Sequence, residues 1–285
     1  MAKLLSSPQI EKIVAKKKSG EKITMIAAYD YPFALLADRA DADIILVGDS
    51  LANVVLGLEK TKDVTMDEMI HHAKAVRRAV KDALVVGDMP FESYQNDGKT
   101  AVLSAQRFIK EAGCDAVKME WSDRCPLLTR EIRAAGIPVM GHVGLTPQTA
   151  EQLGGLKVQG KDADSARRII QNALELEAFG CFSMVLECVP APLAKMITKK
   201  LSIPTIGIGA GVYCDGQVLV LHDILGLSTG KNPKFVKQYA HLYDQVLSAI
   251  TNFREDVQTS RFPDAEHSYS MSPEELQKLT THNED

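Results

Sequence analysis

The chain has 285 residues and a formal net charge of −4, with 45% hydrophobic and 25% charged residues. That is ordinary globular composition, enough for one large domain or two small ones. No basic stripe marks a nucleic-acid binder, and no apolar run approaches the ~18 residues of a membrane span.

In chain order, the start "MAKLLSSPQIEKIVAKKK" lacks the apolar core of a secretory signal. The lysine-rich stretch at 16–22 reads as the solvated end of an N-terminal helical extension. Short apolar, β-branched runs follow at 23–28, 44–47, 84–87, 115–119, 137–140, 182–186, 203–208 and 217–221. They are near-continuous rather than alternating, as in parallel strands buried on both faces. Helical patterns lie between them, at 66–80, 100–113 (Thr100 as cap) and 163–180 (Asp164 or Ser165 as cap); the longest, at 232–257, follows the last strand. Strand–helix alternation repeated about eight times is the pattern of a (β/α)8 TIM barrel, with a doubly wound open sheet as the alternative. The expected organisation is one barrel over 1–257 with its N-terminal extension, then a polar tail over 258–285 carrying a short helix capped by Ser272. The cysteines at 114, 125, 181, 188 and 214 are odd in number and form no C-x-x-C. This argues against a disulfide framework or zinc ribbon and for a reducing compartment, so the expected location is the cytoplasm.

Four strand-like runs end in an acid: Asp49, Asp88, Glu120 and Glu187. The strand between the last two ends in Gly141-His142. A parallel barrel gathers the C-terminal ends of its strands on one face, where active sites sit. Lys118 shares a strand face with Glu120 because side chains alternate. Clustered carboxylates repel one another unless a cation balances them. Asp49, Asp88 and Glu120 are oxygen ligands that suit a hard ion such as Mg²⁺. Glu187 is placed as a general base, and Lys118 and His142 as holders of substrate oxygens. Each of these residues taken singly also reads as a turn former, helix cap or rim ion pair. The "GIGAG" at 207–211 reads either as a plain turn or as a close backbone approach to a ligand. It lacks the lysine of a P-loop and the third glycine of a dinucleotide fingerprint. His71 and His72 read as solvated or interface residues, and Cys188 as no nucleophile.

The motifs "AAYDYPFALLAD", "ILVGDSLANVVLG", "VTMDEMIHHAKAVRR", "GDMPFESY", "GHVGLTPQ", "GGLKVQGK", "VLECVP" and "GIGAGVYCDGQVLVLHDILGL" occur in order from about residue 20 to 255. Together they resemble the ketopantoate hydroxymethyltransferase family. The resemblance implies a (β/α)8 barrel of the phosphoenolpyruvate/pyruvate-like type. It implies transfer of a hydroxymethyl group from 5,10-methylenetetrahydrofolate to 3-methyl-2-oxobutanoate through a metal-stabilised enolate, with Mg²⁺ or a similar ion, in a homo-oligomer, often a decamer. Residue by residue it implies Asp49, Ser50, Asp88, Lys118 and His142 around the substrate, Asp49, Asp88 and Glu120 on the metal, and Glu187 as the base. The chain departs from the family pattern at Trp121, where glycine is common, at Glu92, and in the lysine-rich 57–65. A magnesium-dependent lyase or mutase on a 2-oxo acid is the alternative; the cysteine-loop motif "KKCGH" common in that class does not occur here.

Overall fold

In a computed structural model of the chain, residues 7–152, 154–228 and 233–281 are described. The chain divides into two compact units, Met1–Gln238 and Tyr239–Asp285.

The first unit opens with α1 (Pro8–Ser19), started by a Ser7 cap and stopped by Gly20 at φ 79°, the left-handed conformation in which glycine is least strained. Eight parallel strands follow: β1 (Ile23–Ala27), β2 (Ile44–Val47), β3 (Leu84–Asp88), β4 (Ala116–Glu120), β5 (Val139–Gly144), β6 (Ser183–Glu187), β7 (Thr205–Ile208) and β8 (Gly216–Val220). They pair in sequence order, and β8 closes on β1, so the sheet is a closed barrel. The open-sheet alternative is thereby excluded. Strands β2, β3 and β4 are buried at every position, which explains their unbroken apolar runs.

Helices α2 (Tyr31–Arg39), α3 (Leu51–Val54), α4 (Met66–Ala79), α5 (Glu92–Gln95), α6 (Gly98–Lys110), α7 (Cys125–Ala134), α8 (Ala163–Ala178), α9 (Ala191–Lys200) and α10 (Leu221–Leu225) fill the connections. Their starts follow local chemistry. Thr65 and Glu68 form a reciprocal capping box on α4. The caps of α6 and α8 are Asp97 and Asp162, each slightly upstream of the residues the pattern suggests, because a carboxylate one turn earlier already accepts the free N–H groups.

The lysine-rich end of α1 is not simply solvated. Lys16 pairs with Asp43 at 2.6 Å and Lys17 with Asp215 at 2.8 Å. Both acids precede strands, β2 and β8, and Ile10 and Ile13 are buried. Helix α1 therefore lies at the N-terminal end of the barrel and leaves the C-terminal mouth free.

The second unit holds α11 (Leu242–Gln258) and α12 (Pro273–Thr281). The long helix expected from 232 begins only at Leu242, with residues 233–241 non-helical and 232 outside the described residues. His241 is the N-cap of α11, with no side-chain cap hydrogen bond. Ser272 accepts from Glu275 N at the start of α12.

Candidate active site

The register of the barrel sets the site. Asp88 lies opposite Lys118 across β3–β4, Glu120 opposite His142 across β4–β5, and Gly144 opposite Glu187 across β5–β6. Asp49 stands two residues beyond β2, and its N–H donates to Asp88 Oδ2 at 3.3 Å. A cavity of about 410 Å³ opens over these strand ends, lined by Asp49, Ser50, Asp88, Lys118, Glu120 and Glu187 among others. Asp223, at the start of α10, also faces it. Among the described residues that line it, Lys118 is the one cation.

Lys118 Nζ donates to both Asp88 oxygens, at 2.8 and 2.7 Å, with both side chains almost fully buried. Burial opposes the ammonium, but Asp88, Glu120 and Asp49 hold it charged and push its pKa up. Burial pushes the Asp88 carboxyl up to about 7; Lys118 pulls it down, and Asp49 and Glu120 push it up again. One ammonium does not balance three neighbouring carboxylates. Burial likewise raises Glu120, against the lowering effect of His142.

His142 does not line the cavity. It lies beneath, fully buried, with Nδ1 3.5 Å from Glu120 Oε1 and Nε2 3.2 Å from Glu187 Oε2. Neither contact has hydrogen-bond geometry, so both ring nitrogens lack a formal partner. Burial and Lys118 disfavour the imidazolium, yet Glu120 and Glu187 win and push it up to about 9. Glu187 is the more open of the two acids, its side chain 17% exposed. Beside it Cys188 takes φ 46°. Its thiol is pushed up to about 11 by burial and then by Glu187, which leaves little thiolate at neutral pH. Gly144 is required at its position: at φ 101°, an added Cβ would lie 2.3 Å from Glu187 O.

Three polar residues joined to this cluster were not singled out from the sequence. Gln148 donates from Nε2 to Asp49 Oδ2 at 3.0 Å and from its backbone N to Glu120 Oε2 at 3.0 Å. Its Oε1 accepts from the buried Tyr94 hydroxyl. Tyr29 shares a 2.8 Å hydrogen bond with Ser50. Gln148 was readable as the last residue of "GHVGLTPQ", six after His142, but its neutral amide carries no charge pattern. His72 is bound rather than solvated: its Nδ1 lies 2.7 Å from Tyr29 O. Trp121 is anchored too, its N–H donating to His142 O at 2.9 Å and its indole to Asn172 Oδ1 at 3.0 Å in the satisfied amide orientation. Glu92 is exposed at the start of α5.

For a divalent ion, the donor chemistry fits: the cavity offers carboxylate oxygens in excess of cations, and its one lining cysteine, Cys188, stays a protonated thiol. Among the described residues, no three of His, Cys, Asp and Glu close up into a cage. An ion bound here would take the rest of its shell from water and substrate, as Mg²⁺ commonly does.

A closed parallel barrel with acids and a lysine gathered at its C-terminal mouth defines the class: a TIM-barrel enzyme. Solved structures of similar fold include a phosphonopyruvate hydrolase complexed with oxalate and Mg²⁺ (TM-score 0.58, 13% identity, covering 96% of this chain and 95% of that one). Another is 2,3-dimethylmalate lyase, of the PEP mutase/isocitrate lyase superfamily (TM-score 0.53, 12% identity, 97% and 95% covered). At such identity they show the fold alone. The model of the ketopantoate hydroxymethyltransferase family matches residues 8–265, and the chain belongs to that family. Relatives named 3-methyl-2-oxobutanoate hydroxymethyltransferase include those of Moorella thermoacetica (56% identical over 262 residues, 92% of this chain and 96% of the relative) and Heliobacterium modesticaldum (53% over 274 residues, 96% and 98%).

Proposed function

We propose that the enzyme moves a hydroxymethyl group from 5,10-methylenetetrahydrofolate to 3-methyl-2-oxobutanoate, giving 2-dehydropantoate on the route to pantothenate. The observation that carries this reading is the placement of Glu187, partly exposed at the end of β6, on the wall of the same cavity that Asp49, Asp88, Lys118 and Glu120 line.

Asp49, Asp88 and Glu120 are the residues that would hold a Mg²⁺ or similar ion. When bound, the ion supplies Lewis-acid stabilisation for negative charge on the keto oxygen. Ser50, oriented by Tyr29, and Lys118 hold the substrate carboxylate. Glu187 takes the C3 proton as general base. The C3 carbanion equivalent then bonds to the one-carbon unit as one folate C–N bond breaks; water replaces the second folate nitrogen and supplies the product hydroxyl, and the C3 proton and one water proton end on the two released nitrogens. His142, held between Glu120 and Glu187, fixes the base and offsets charge beneath the substrate. The same reading makes the protein a cytoplasmic homo-oligomer, a decamer. The exposed Leu247, Ile250 and Phe253 of α11 support association.

The test follows loss of the C3 proton of 3-methyl-2-oxobutanoate in D₂O by NMR, without folate. Exchange is expected to require the divalent ion and to fall about 10²-fold or more in Glu187→Gln. Exchange that survives the substitution removes Glu187 as the base.

A further inference from the structure

A second cavity, of about 230 Å³, adjoins the first and shares Asn53, Thr61, Pro147 and Leu156 with it. A 3₁₀ turn at Thr61–Asp63 packs there against another at Pro147–Thr149. Two cations line it, Lys60 and Lys62, and both are held by one carboxylate: Glu151 Oε1 lies 2.7 Å from Lys60 Nζ and Oε2 3.4 Å from Lys62 Nζ. All three side chains remain open to solvent, at 49%, 31% and 67% exposure. At the seam between the cavities Thr61 Oγ1 is buried without a partner. Leu156, 75% exposed, presents an apolar surface to both.

The proposed reaction needs this kind of annex. The keto acid is small, but the one-carbon carrier is a long pteridine conjugate ending in glutamate carboxylates, and it must dock and depart in every turnover. Its anionic end finds no second cation in the first cavity, where Lys118, buried against Asp88, serves the keto acid's carboxylate. Lys60 and Lys62 flank the shared Thr61 in the second cavity, and Glu151 shows that together they accommodate a carboxylate. We infer that the second cavity seats the arm of the folate carrier, with Lys60 and Lys62 receiving its glutamate carboxylate in exchange for Glu151. This assignment rests on the proposed function; the site's position follows from the contiguous cavities and the lysine pair.

The test compares binding of 5-formyltetrahydrofolate with that of 5-formyltetrahydropteroate, which lacks the glutamate, to the full-length protein. In the double variant Lys60→Gln/Lys62→Gln, affinity for the glutamate-bearing probe is expected to fall about fivefold or more, and affinity for the pteroate to stay within about twofold. Glu151→Gln, which frees both lysines, is expected to tighten the glutamate-bearing probe. Equal weakening of both probes, or of neither, overturns the assignment. Metal-dependent C3 exchange without folate is measured in the same samples. If exchange persists while the probes fail to discriminate, the carrier site falls and the proposed reaction stands. If wild-type protein shows no exchange, both fall.

Discussion

At the scale of single residues, the buried pair Asp88–Lys118 decides the electrostatics of the mouth. Both side chains are nearly inaccessible, and breaking such a pair from one side costs more than its net contribution, because the remaining charge is left buried and unbalanced. Lys118→Met is therefore expected to lower unfolding free energy by about 3 kcal/mol at pH 8. The loss should shrink at pH 6, since the Asp88 carboxyl, already pushed up to about 7, then takes a proton and no longer needs a counter-charge. Urea unfolding at the two pH values checks this; an equal loss at both would show that Asp88 is not the group left exposed to the imbalance. The acids and the lysine were legible because each interrupts an apolar run, where an unpaired charge is costly and calls for a reason. Gln148 and Tyr29 were not. A neutral amide and a phenol in loops cost little on paper, and only the fold reveals that Gln148 bridges Asp49 to Glu120.

At the scale of elements, the strands were readable from their unbroken apolar runs, but their ends were not. The run at 137–140 stops where Gly141 begins, yet β5 continues to Gly144. Backbone pairing with β6 carries it on, and pairing leaves no mark on side-chain hydropathy. His142 consequently sits within a strand, fully buried, rather than on a rim. The joints between helix and strand rest on another feature that hydropathy does not encode. Asp38, near the end of α2, accepts backbone N–H groups from Lys81, Asp82 and Ala83 at 2.9, 3.2 and 2.9 Å, tying α2 to the turn that feeds β3. Burial pushes its carboxyl up, but these donors, with Arg77, outweigh burial and hold it below the usual carboxylate range. A depressed carboxyl stabilises the fold above its unfolded pKa, near 3.9, and the contribution is lost as pH falls through the lower folded value. Asp38→Ala should cost about 2 kcal/mol at neutral pH. The gap from wild type should hold to about pH 5 and narrow below about pH 4. A gap that stays constant down to the acid transition would show that the ionised carboxylate is not what joins the elements.

At the scale of the molecule, the barrel treats its two ends differently. At the N-terminal end the acids Asp43 and Asp215 meet Lys16 and Lys17 of α1, so charge is matched within the chain. At the C-terminal mouth Asp49, Asp88, Glu120, Glu187 and Asp223 face one cavity with Lys118 as the one lining cation among the described residues. The repetition of strand-end acids made that mouth legible before any coordinates, because a parallel barrel turns distant positions into neighbours. The ion pairs that fix α1 below it depend on contacts that no local pattern announces. The imbalance has a thermodynamic sign. A carboxyl whose folded pKa is raised binds more protons folded than unfolded, so Asp88 makes stability fall as pH rises from its unfolded pKa, about 3.9, toward 7. A divalent cation reverses that cost, and it competes with protons for the same oxygens. Mg²⁺ at about 100 times its dissociation constant should therefore stabilise the fold by about 2.7 kcal/mol at pH 8. The stabilisation should diminish steadily below pH 7 and vanish at every pH on chelation. Thermal unfolding of the same protein with Mg²⁺ and with chelator, across that range, is the measurement. A shift independent of pH would place the ion on groups other than Asp88, and Asp88→Asn, which removes the titrating group without removing the oxygen, would then leave the shift intact.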